Sequence, residues 1–256
     1  KSAILANPAG ANKEALIRSF AQSIKHLTEY TPGPDMGTDE TCMAYIHDEI
    51  GRAVGLPKVL GGLPLDALGT TGFGVAVAAD VASEVLALPV KNARVIIQGF
   101  GNVGKAVARF LTERGAIIIA TCDKGGAIYD PEGISIPALT ELKNSGGSVR
   151  DSGLGKELTH EEMLQMESDI FIPSARPDVF TVDNQHWLKT KLVLEGANIP
   201  ITHEVAEKMV DRGVMIIPDV IANAGGVICA ATEYQGMSEK QAFERITSTI
   251  SRNTRE

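Results

Sequence analysis

The fold is decided by the stretch Arg94-Val95-Ile96-Ile97-Gln98-Gly99-Phe100-Gly101-Asn102-Val103-Gly104. Its first five residues have an apolar, β-branched centre and the length of a buried strand. The next six have the G-x-G-x-x-G pattern, and Val107, Phe110 and Leu111 continue at helical spacing. Because strand, glycine loop and helix come in this order, the stretch predicts the dinucleotide-binding turn of a doubly wound fold.

The loop residues have distinct expected roles toward a dinucleotide cofactor. Gly99 makes the tight turn, Gly101 lets the backbone approach a pyrophosphate, and Gly104 lets the helix pack closely on the strand. The helix N-terminus offers N–H groups that attract phosphate. The cofactor-binding residues expected here are Gly99, Phe100, Gly101, Asn102, Val103 and Gly104. The alternative is a glycine turn with a purely structural role and no bound cofactor. The acidic residue described next argues against this alternative.

That acidic residue is Asp123, which ends the next apolar run 24 positions after Gly99. The separation typical of a ribose ligand is roughly 20 residues. A carboxylate there accepts a hydrogen bond from the ribose 2′-hydroxyl and repels a 2′-phosphate, which predicts NAD as the cofactor. Lys124 stands beside it and could instead attract the phosphate of NADP, so NADP stays open.

Further apolar runs alternate with helical patterns along the rest of the chain. They cover residues 117–120, 170–172, 192–194 and 214–217. Short apolar strands that alternate with helices are typical of a parallel sheet covered on both faces. The sequence therefore predicts an α/β protein built on a doubly wound, Rossmann-like parallel sheet, together with part of an α/β substrate domain.

Three parts of the chain are expected. Residues 1–64 are predicted to be a partial substrate and catalytic domain that opens with a short strand at Ala3-Ile4-Leu5. Residues 65–233 are predicted to form the Rossmann-like dinucleotide-binding domain. Residues 234–256 are predicted to form a helix that returns toward the substrate domain. Because neither Gly nor Pro ends that helix, the sequence is expected to be an internal piece of a longer protein.

Composition and charge exclude several other classes of protein. Hydrophobic residues are 44% and charged residues 22% of the 256, which is ordinary for a globular chain. The net charge of −8 argues against a nucleic-acid partner. Cys42, Cys122 and Cys229 lack metal-ligand spacing, so no metal is expected and a cytoplasmic, reducing compartment is favoured. No apolar run approaches the roughly 20 residues of a membrane span, so no membrane partner is expected.

Four motifs carry a resemblance to a known family. They are Pro34-Asp35-Met36-Gly37-Thr38, Gly99–Gly104, Glu195-Gly196-Ala197-Asn198 and Pro218-Asp219-Val220-Ile221-Ala222-Asn223-Ala224-Gly225-Gly226-Val227. Together they resemble the glutamate dehydrogenase family, which includes leucine, valine and phenylalanine dehydrogenases. The resemblance implies reversible NAD- or NADP-dependent oxidative deamination of an L-amino acid to a 2-oxo acid and ammonia. It also implies a homohexamer, and segments before Lys1 and after Glu256 that complete the substrate domain.

The resemblance assigns roles to individual residues. Asp35 matches the catalytic aspartate that moves protons to and from the substrate amine, and Lys1 matches the catalytic lysine that activates water. The positions implied to contact the cofactor are Thr71, Ala175, Asn198 and Asn223. From the residues alone, Asp35 and Asn223 also fit ordinary turn positions, and Lys1 also fits a solvated terminal residue.

The substrate pocket departs from the glutamate pattern. Ala230, three residues after Val227, stands where glutamate enzymes of the family carry a serine that binds the substrate side-chain carboxylate. Val227 and Ala230 would line an apolar pocket, as in the leucine and valine members. In contrast, Pro34–Thr38 and the insert at 125–133 are typical of the glutamate type. A glutamate dehydrogenase is therefore the leading expectation, and a leucine- or valine-type enzyme is the alternative.

Two other functions stay open. A paralogue that binds a nucleotide without catalysing a reaction fits the same glycine loop. A 2-hydroxy-acid dehydrogenase would need a catalytic histidine beside a strand end. The five histidines are predicted on helices or loops away from strand ends, and they are His26, His47, His160, His186 and His203.

Overall fold

The computed structural model describes residues 2–256 and divides the chain into two compact units. The first unit comprises Lys1–Leu68 and Val227–Arg245, and the second comprises Gly69–Gly226 and Ile246–Glu256. The division expected from the sequence, at 64/65 and 233/234, stays a prediction.

Two contacts explain where the bounds fall. The Glu233 carboxylate accepts hydrogen bonds from the backbone N–H groups of Gly55 (2.7 Å) and Leu56 (3.1 Å), which ties residues 227–245 to the first unit. Ile250 packs so closely on Gly74 that a Cβ there would lie 2.7 Å from Ile250 Cδ1, so the last residues belong to the second unit. The C-terminal helix is therefore divided between the units.

The described residues form eleven α-helices and seven strands. The helices are α1 (Lys13–Ser23), α2 (Glu40–Ile50), α3 (Leu65–Leu68), α4 (Thr70–Leu86), α5 (Asn102–Glu113), α6 (Ile136–Asn144), α7 (His160–Leu164), α8 (His203–Asp211), α9 (Asp219–Ala222), α10 (Gly225–Tyr234) and α11 (Glu239–Arg255). The strands are β1 (Arg94–Gln98), β2 (Ile117–Asp123), β3 (Gly126–Tyr129), β4 (Lys156–Leu158), β5 (Ile170–Pro173), β6 (Leu192–Leu194) and β7 (Met215–Ile217).

The strands form one sheet in the order β4-β3-β2-β1-β5-β6-β7. Strands β2, β1, β5, β6 and β7 are parallel, which confirms the doubly wound sheet. Strands β3 and β4 add an antiparallel edge that the sequence analysis did not predict. The strand order reverses between β1 and β5, and ligands of such folds bind outside the carboxyl ends of the strands at this point.

Apolar side chains cover both faces of the sheet. On one face, Ile96, Phe171 and Val193 pack in a fully buried cluster with Val205 and Met209 of α8. Burying each such side chain stabilises the fold by roughly 1.5–3 kcal/mol. On the other face α5 lies so close to β1 that Gly104 contacts Ile97.

The first unit is helical in its described part. Ile17 and Ala21 of α1 pack against Cys42, Met43 and Ile46 of α2. The strand predicted at 3–5 is wrong, because that segment forms no strand and no ladder pairs with it. The segment predicted to belong to the substrate domain is consequently α-helical where it has regular structure.

One helical stretch meets the length and composition criteria for a membrane span, unlike the sequence expectation. It covers Leu65–Leu86 with a mean hydropathy of 1.2, and 61% of it is buried inside the protein. Core helices pass the same criteria. Gly69 interrupts the stretch with a left-handed φ of 71°.

Candidate functional site

The three glycines of the loop meet three different surroundings at the carboxyl end of β1. Gly99 has a φ of 102°, and a Cβ there would lie 2.5 Å from Ala175 Cβ. A Cβ on Gly104 would lie 1.9 Å from the Gly99 carbonyl oxygen, whereas one on Gly101 would meet nothing within 4 Å. Gly99 and Gly104 therefore allow close packing, whereas Gly101 borders open space with room for a ligand.

Helix α5 begins directly at this open space. Gly101 is its N-cap and offers no capping side chain, and the Lys105 N–H makes an early helical hydrogen bond to the Gly101 carbonyl at 2.9 Å. The first N–H groups of a helix have no partner within the helix, so they can bind an anion. Asn102 is exposed and Val103 is half-buried at this end.

Phe100 differs from its neighbours in the loop. Its side chain is 1% exposed, and its N–H donates to the Cys122 carbonyl at 2.7 Å. The residue therefore joins the loop to β2. Its side chain belongs to the core, and its backbone N–H is already paired.

A second glycine pair lets the start of α4 approach the segment after β7. A Cβ on Gly225 would lie 2.1 Å from the Thr70 carbonyl oxygen, and one on Gly226 would lie 2.7 Å from Thr71 Oγ1. The Thr71 hydroxyl thus lies against the glycine-rich segment. This proximity was implied by the family resemblance and could not be derived from sequence spacing.

Two asparagines meet beyond the ends of β6 and β7. The Asn223 side-chain amide donates to Asn198 Oδ1 at 2.9 Å. Residue Ile199 next to it has a left-handed φ of 48°, which is unusual for a β-branched side chain. The two predicted cofactor residues are brought together, and a strained backbone position adjoins them.

Two carboxylates, linked in series by backbone hydrogen bonds, hold this strained segment. Glu195 Oε2 accepts the Asp219 backbone N–H at 2.9 Å, and Asp219 Oδ2 accepts the Ile199 backbone N–H at 2.7 Å. Glu195 is 5% exposed. Burial raises the pKa of Glu195 to about 7, and the charge of Asp219 acts in the same direction. Glu195 was not predicted as a functional residue, although a carboxylate directly after a buried strand was a usable signal.

Asp123 lies at the end of β2 as predicted, but protein donors surround its carboxylate. Oδ1 accepts from the Gly125 N–H (2.8 Å) and the Ser148 hydroxyl (2.9 Å), and Oδ2 accepts from Lys143 and the Val149 N–H (2.9 Å). Burial opposes ionisation, yet the hydrogen bonds, first that from Lys143, lower the pKa of Asp123 to about 2.

Two further polar atoms at the carboxyl edge of the sheet were missed from sequence. Gln98 Oε1 at the end of β1 and Ser174 Oγ after β5 are buried and have no hydrogen-bond partner among residues 2–256. Buried polar atoms are usually satisfied. Together with the open space at Gly101, these atoms fit a polar ligand at the edge of the sheet.

The predicted catalytic aspartate lies in the first unit. Asp35 is exposed in a turn, where its Oδ1 accepts the Met36 N–H at 2.8 Å and its own N–H donates to Thr38 Oγ1 at 2.9 Å. Lys1, predicted as the catalytic lysine, lies outside the described residues.

The two residues predicted to line the substrate pocket lie on α10. Val227 is 74% exposed and Ala230 is half-buried, while Cys229 between them is fully buried. A side chain contacting Val227 and Ala230 would meet only apolar groups from these two residues.

One histidine lies beside a strand end, contrary to the sequence expectation. A ring nitrogen of His160 lies 2.7 Å from the Asp123 carbonyl oxygen. The contact is to a backbone carbonyl and not to a carboxylate. It therefore lacks the acid–base pairing that a 2-hydroxy-acid dehydrogenase would require.

The doubly wound sheet, the three-glycine loop and the uncapped helix define a protein of the dinucleotide-binding α/β class. Residues 61–255 match the Glutamate/Leucine/Phenylalanine/Valine dehydrogenase family. The chain belongs to that family.

The chain is also similar to individual glutamate dehydrogenases. The chain is 40% identical to the NADP-specific glutamate dehydrogenase of Saccharolobus shibatae, over 86% of this chain and 55% of that protein. It is 34% identical to the cryptic catabolic NAD-specific glutamate dehydrogenase GudB of Bacillus subtilis, over 91% and 58%. The hetero-hexameric glutamate dehydrogenase of Thermus thermophilus, in its Leu-bound form, superposes with a TM-score of 0.84 at 25% identity, over 96% and 62%. The chain thus spans less than two thirds of each of these proteins.

Proposed function

We propose that the protein catalyses the reversible NAD(P)-dependent oxidative deamination of an L-amino acid, with glutamate as the leading substrate. The observation that carries the proposal is the glycine loop of a family member, with close packing at Gly99 and Gly104 and open space at Gly101. The names of the relatives support glutamate as the substrate and either NAD or NADP as the cofactor.

In the proposed reaction, each residue acts on a defined group. The N–H groups at the start of α5 bind the pyrophosphate, and Thr71, Ala175, Asn198 and Asn223 orient the nicotinamide end. The cofactor, when bound, supplies the hydride acceptor for the substrate α-carbon. Lys1 activates the water that attacks the iminium carbon, and Asp35 moves protons at the departing amine. The Asp35 turn supports this role because it keeps the carboxylate exposed.

An apolar substrate is the second candidate. It is favoured by Val227 and Ala230, which offer no hydroxyl to a substrate carboxylate. A buried carboxylate without a partner costs several kcal/mol, on the order of 2–7. Leucine and valine are therefore the competing substrates.

A substrate panel tests both candidates. Reduction of NAD and of NADP is followed at 340 nm with glutamate, leucine, valine, phenylalanine and a 2-hydroxy acid, and NADH binding is measured by its fluorescence. Turnover with glutamate supports the leading proposal, and turnover with leucine or valine alone supports the second. Cofactor binding without turnover of any amino acid indicates a non-catalytic paralogue.

The setting of this reaction is proposed from the same relatives. We propose a homo-oligomer, a hexamer as the leading form, acting in the cytoplasm on small molecules. Size-exclusion chromatography with light scattering would measure the oligomer, and a monomer at micromolar concentration would contradict it.

A further inference from the structure

One series of hydrogen bonds joins the three loops that follow β5, β6 and β7. Asp219, at the start of α9, is at its centre: its N–H donates to Glu195 Oε2 at 2.9 Å, and its Oδ2 accepts the Ile199 N–H at 2.7 Å. The Ile199 carbonyl in turn accepts the Asp178 N–H at 3.2 Å. The series begins at Glu195, which is buried, and ends in the loop after β5. The proposed reaction uses neither Glu195 nor Asp219.

The backbone that this series holds is strained at two residues. Ile199 has a φ of 48° and Asp178 a φ of 53°, both in the left-handed region. A β-branched residue rarely adopts this conformation, which persists only where its surroundings enforce it. Packing does not enforce it at Ile199, because that side chain is 62% exposed. The hydrogen bonds to the N–H and carbonyl groups of Ile199 therefore hold the conformation.

Asn198, the residue before the strained one, has a fixed backbone on both sides. The Gly196 and Ala197 N–H groups donate to the Pro173 carbonyl at 3.0 and 2.8 Å. The segment before Asn198 is thus attached to the end of β5, and Ile199 after it is attached to the start of α9. Asn198 is consequently held in place although it is exposed.

Asn223 is held through the short helix α9. Asp219 is the first residue of α9, and the Asn223 N–H at the other end donates to the Asp219 carbonyl at 3.0 Å. The bond from the Asp219 N–H to Glu195 therefore fixes the start of the helix whose end carries Asn223. Both asparagines are thus attached to Asp219, one through its side chain and the other through its backbone.

The two asparagines keep hydrogen-bonding groups for a ligand. Their mutual bond uses an Asn223 amide hydrogen and Asn198 Oδ1. Within the part of the chain that the structure describes, this leaves Asn198 Nδ2 as a donor and Asn223 Oδ1 as an acceptor. One donor beside one acceptor is complementary to another carboxamide, which is the group that the nicotinamide ring carries.

We propose that Glu195 and Asp219 are positioning residues, whose hydrogen bonds hold Asn198 and Asn223 in place for the nicotinamide end of the cofactor. Neither carboxylate contacts the cofactor in this arrangement. The inference rests on the proposed dinucleotide binding, and it adds two residues that act through the asparagines.

The first test compares NADH with ADP-ribose, which has the same adenosine and pyrophosphate but lacks the nicotinamide. Isothermal titration calorimetry gives both dissociation constants. The unmodified protein should bind NADH about tenfold or more tightly than ADP-ribose. Equal affinities overturn the inference and leave dinucleotide binding intact. Failure to bind either ligand contradicts the proposed function, and the inference with it.

Variants of the two carboxylates then separate positioning from general stability. Glu195→Met removes the acceptor of the Asp219 N–H, and Asp219→Ala removes the acceptor of the Ile199 N–H. Each should weaken NADH binding by about tenfold and change ADP-ribose binding by less than about threefold. Glu195→Gln and Asp219→Asn keep a carbonyl acceptor, so both ligands should bind within about threefold of the unmodified protein. Equal weakening of both ligands, unchanged NADH affinity, or no rescue by the conservative variants overturns the inference.

The hydrogen bonds themselves are tested without a cofactor. Glu195→Met leaves a partly buried N–H without its acceptor, and if this variant does not fold, Asp219→Ala carries the test alone. The N–H that Asp219→Ala releases is exposed, so water can replace the carboxylate. Amide exchange at Ile199, followed by NMR, should become about tenfold or more faster in Asp219→Ala. Unchanged exchange would show that Asp219 does not hold this segment, which also overturns the inference.

A matched control lies at the amino ends of the strands, opposite the glycine loop. Asp169 Oδ2 accepts the Arg94 N–H at 3.0 Å, directly before β5 begins. Asp169→Ala removes the same kind of bond from a carboxylate to the backbone. The ratio of the NADH and ADP-ribose constants should stay within about threefold of the unmodified value. A change as large as that in Asp219→Ala would indicate general loosening of the sheet and would contradict a specific positioning role.

Discussion

Gly101 and Gly104 are both glycines, but the physical reasons differ. Gly104 is surrounded by backbone, so an added methyl group must displace the Gly99 carbonyl or the helix. Gly101 has room for a methyl group and a negative φ of −90°, so its backbone imposes no requirement for glycine. We propose that the requirement for glycine comes from the cofactor, which would occupy the open space.

Alanine substitution at these two glycines separates folding from binding. Gly104→Ala should destabilise the second unit by on the order of 2–3 kcal/mol, because overpacking a core forces backbone shifts. Gly101→Ala should preserve the melting temperature and weaken NADH binding by about tenfold or more. Thermal unfolding and fluorescence titration measure the two effects. Normal NADH binding by Gly101→Ala would remove the main support for the proposed cofactor site.

Glu195 makes folding stability depend on pH near neutrality. Its folded pKa of about 7 lies above the ordinary 4.5. The contribution of Glu195 to the free energy of unfolding is therefore fully present below pH 4.5 and is lost as the pH rises through 7. Glu195→Gln stays neutral and can still accept the Asp219 N–H. It should exceed the wild type in unfolding free energy at pH 8 by on the order of 2 kcal/mol, after a discount for water access, and match it near pH 4.5.

Urea denaturation at the two pH values measures this difference. Glu204→Gln is the control, because Glu204 is an exposed carboxylate whose pKa is lowered by its bond to Lys208, not raised. An advantage of Glu195→Gln that is equal at both pH values would show that its cause is not the ionisation of Glu195.

At the scale of elements, α2 shows how local chemistry fixes where a helix starts. Its N-cap is Asp39, whose Oδ1 accepts the Cys42 N–H at 2.9 Å. Thr38, one residue earlier, is engaged instead in the Asp35 turn. The helix start and the turn that carries the proposed catalytic carboxylate are thus adjacent and use different side chains.

Replacing the cap should weaken the first unit. Asp39→Ala is expected to cost about 1 kcal/mol, whereas Asp39→Asn or Asp39→Ser should recover most of it, because these side chains also accept the N–H bond. Circular dichroism during urea unfolding provides the measurement. A loss in Asp39→Asn as large as that in Asp39→Ala would mean that charge, and not capping, is responsible.

The elements also show what the sequence could and could not predict. The apolar centres of β1, β2, β5, β6 and β7 identified these strands, because strands buried on both faces need continuous apolar runs. β3 and β4 are short edge strands, and β4 has the polar start Lys156-Glu157, so no apolar run marked it. β3 pairs with β2 across the two-residue loop Lys124-Gly125, which is not one of the dipeptides that mark a two-residue hairpin in a sequence.

The same limit applies to the site. The position of Asp123 at the end of β2 followed from the spacing after Gly99, but three of its four hydrogen-bond donors come from residues 20 to 26 positions later. Sequence spacing cannot show that Lys143, Ser148 and Val149 fold back onto this carboxylate. Similarly, the hydrogen bond from the Asp219 N–H to Glu195 depends on β6 and β7 being neighbours in the sheet, which only the fold establishes.

At the scale of the whole molecule, the chain passes three times between its two units. The second unit holds the sheet and the glycine loop, and the first holds Asp35, Val227 and Ala230. The residues proposed for cofactor binding therefore belong to one unit, while those proposed for chemistry and substrate selection belong to the other.

Cofactor binding should accordingly stabilise the second unit directly. With NADH at about 100 times its dissociation constant, amide exchange in β1, α5 and β2 should slow by an amount equivalent to about 2.7 kcal/mol. Hydrogen–deuterium exchange with mass spectrometry resolves the units, and α1 and α2 serve as the internal reference. Protection confined to residues 2–68 would place the nucleotide site elsewhere.

The antiparallel border of the sheet has a consequence for behaviour at high concentration. β4 is its outermost strand, and Lys156 and Glu157 on it are exposed. Another chain adding there as an extra strand would have to desolvate these ionised groups, a cost that natural edge strands use against aggregation. Replacing both residues with valine would leave an exposed apolar edge strand. Aggregation at high protein concentration should then increase, although the folded core is unchanged.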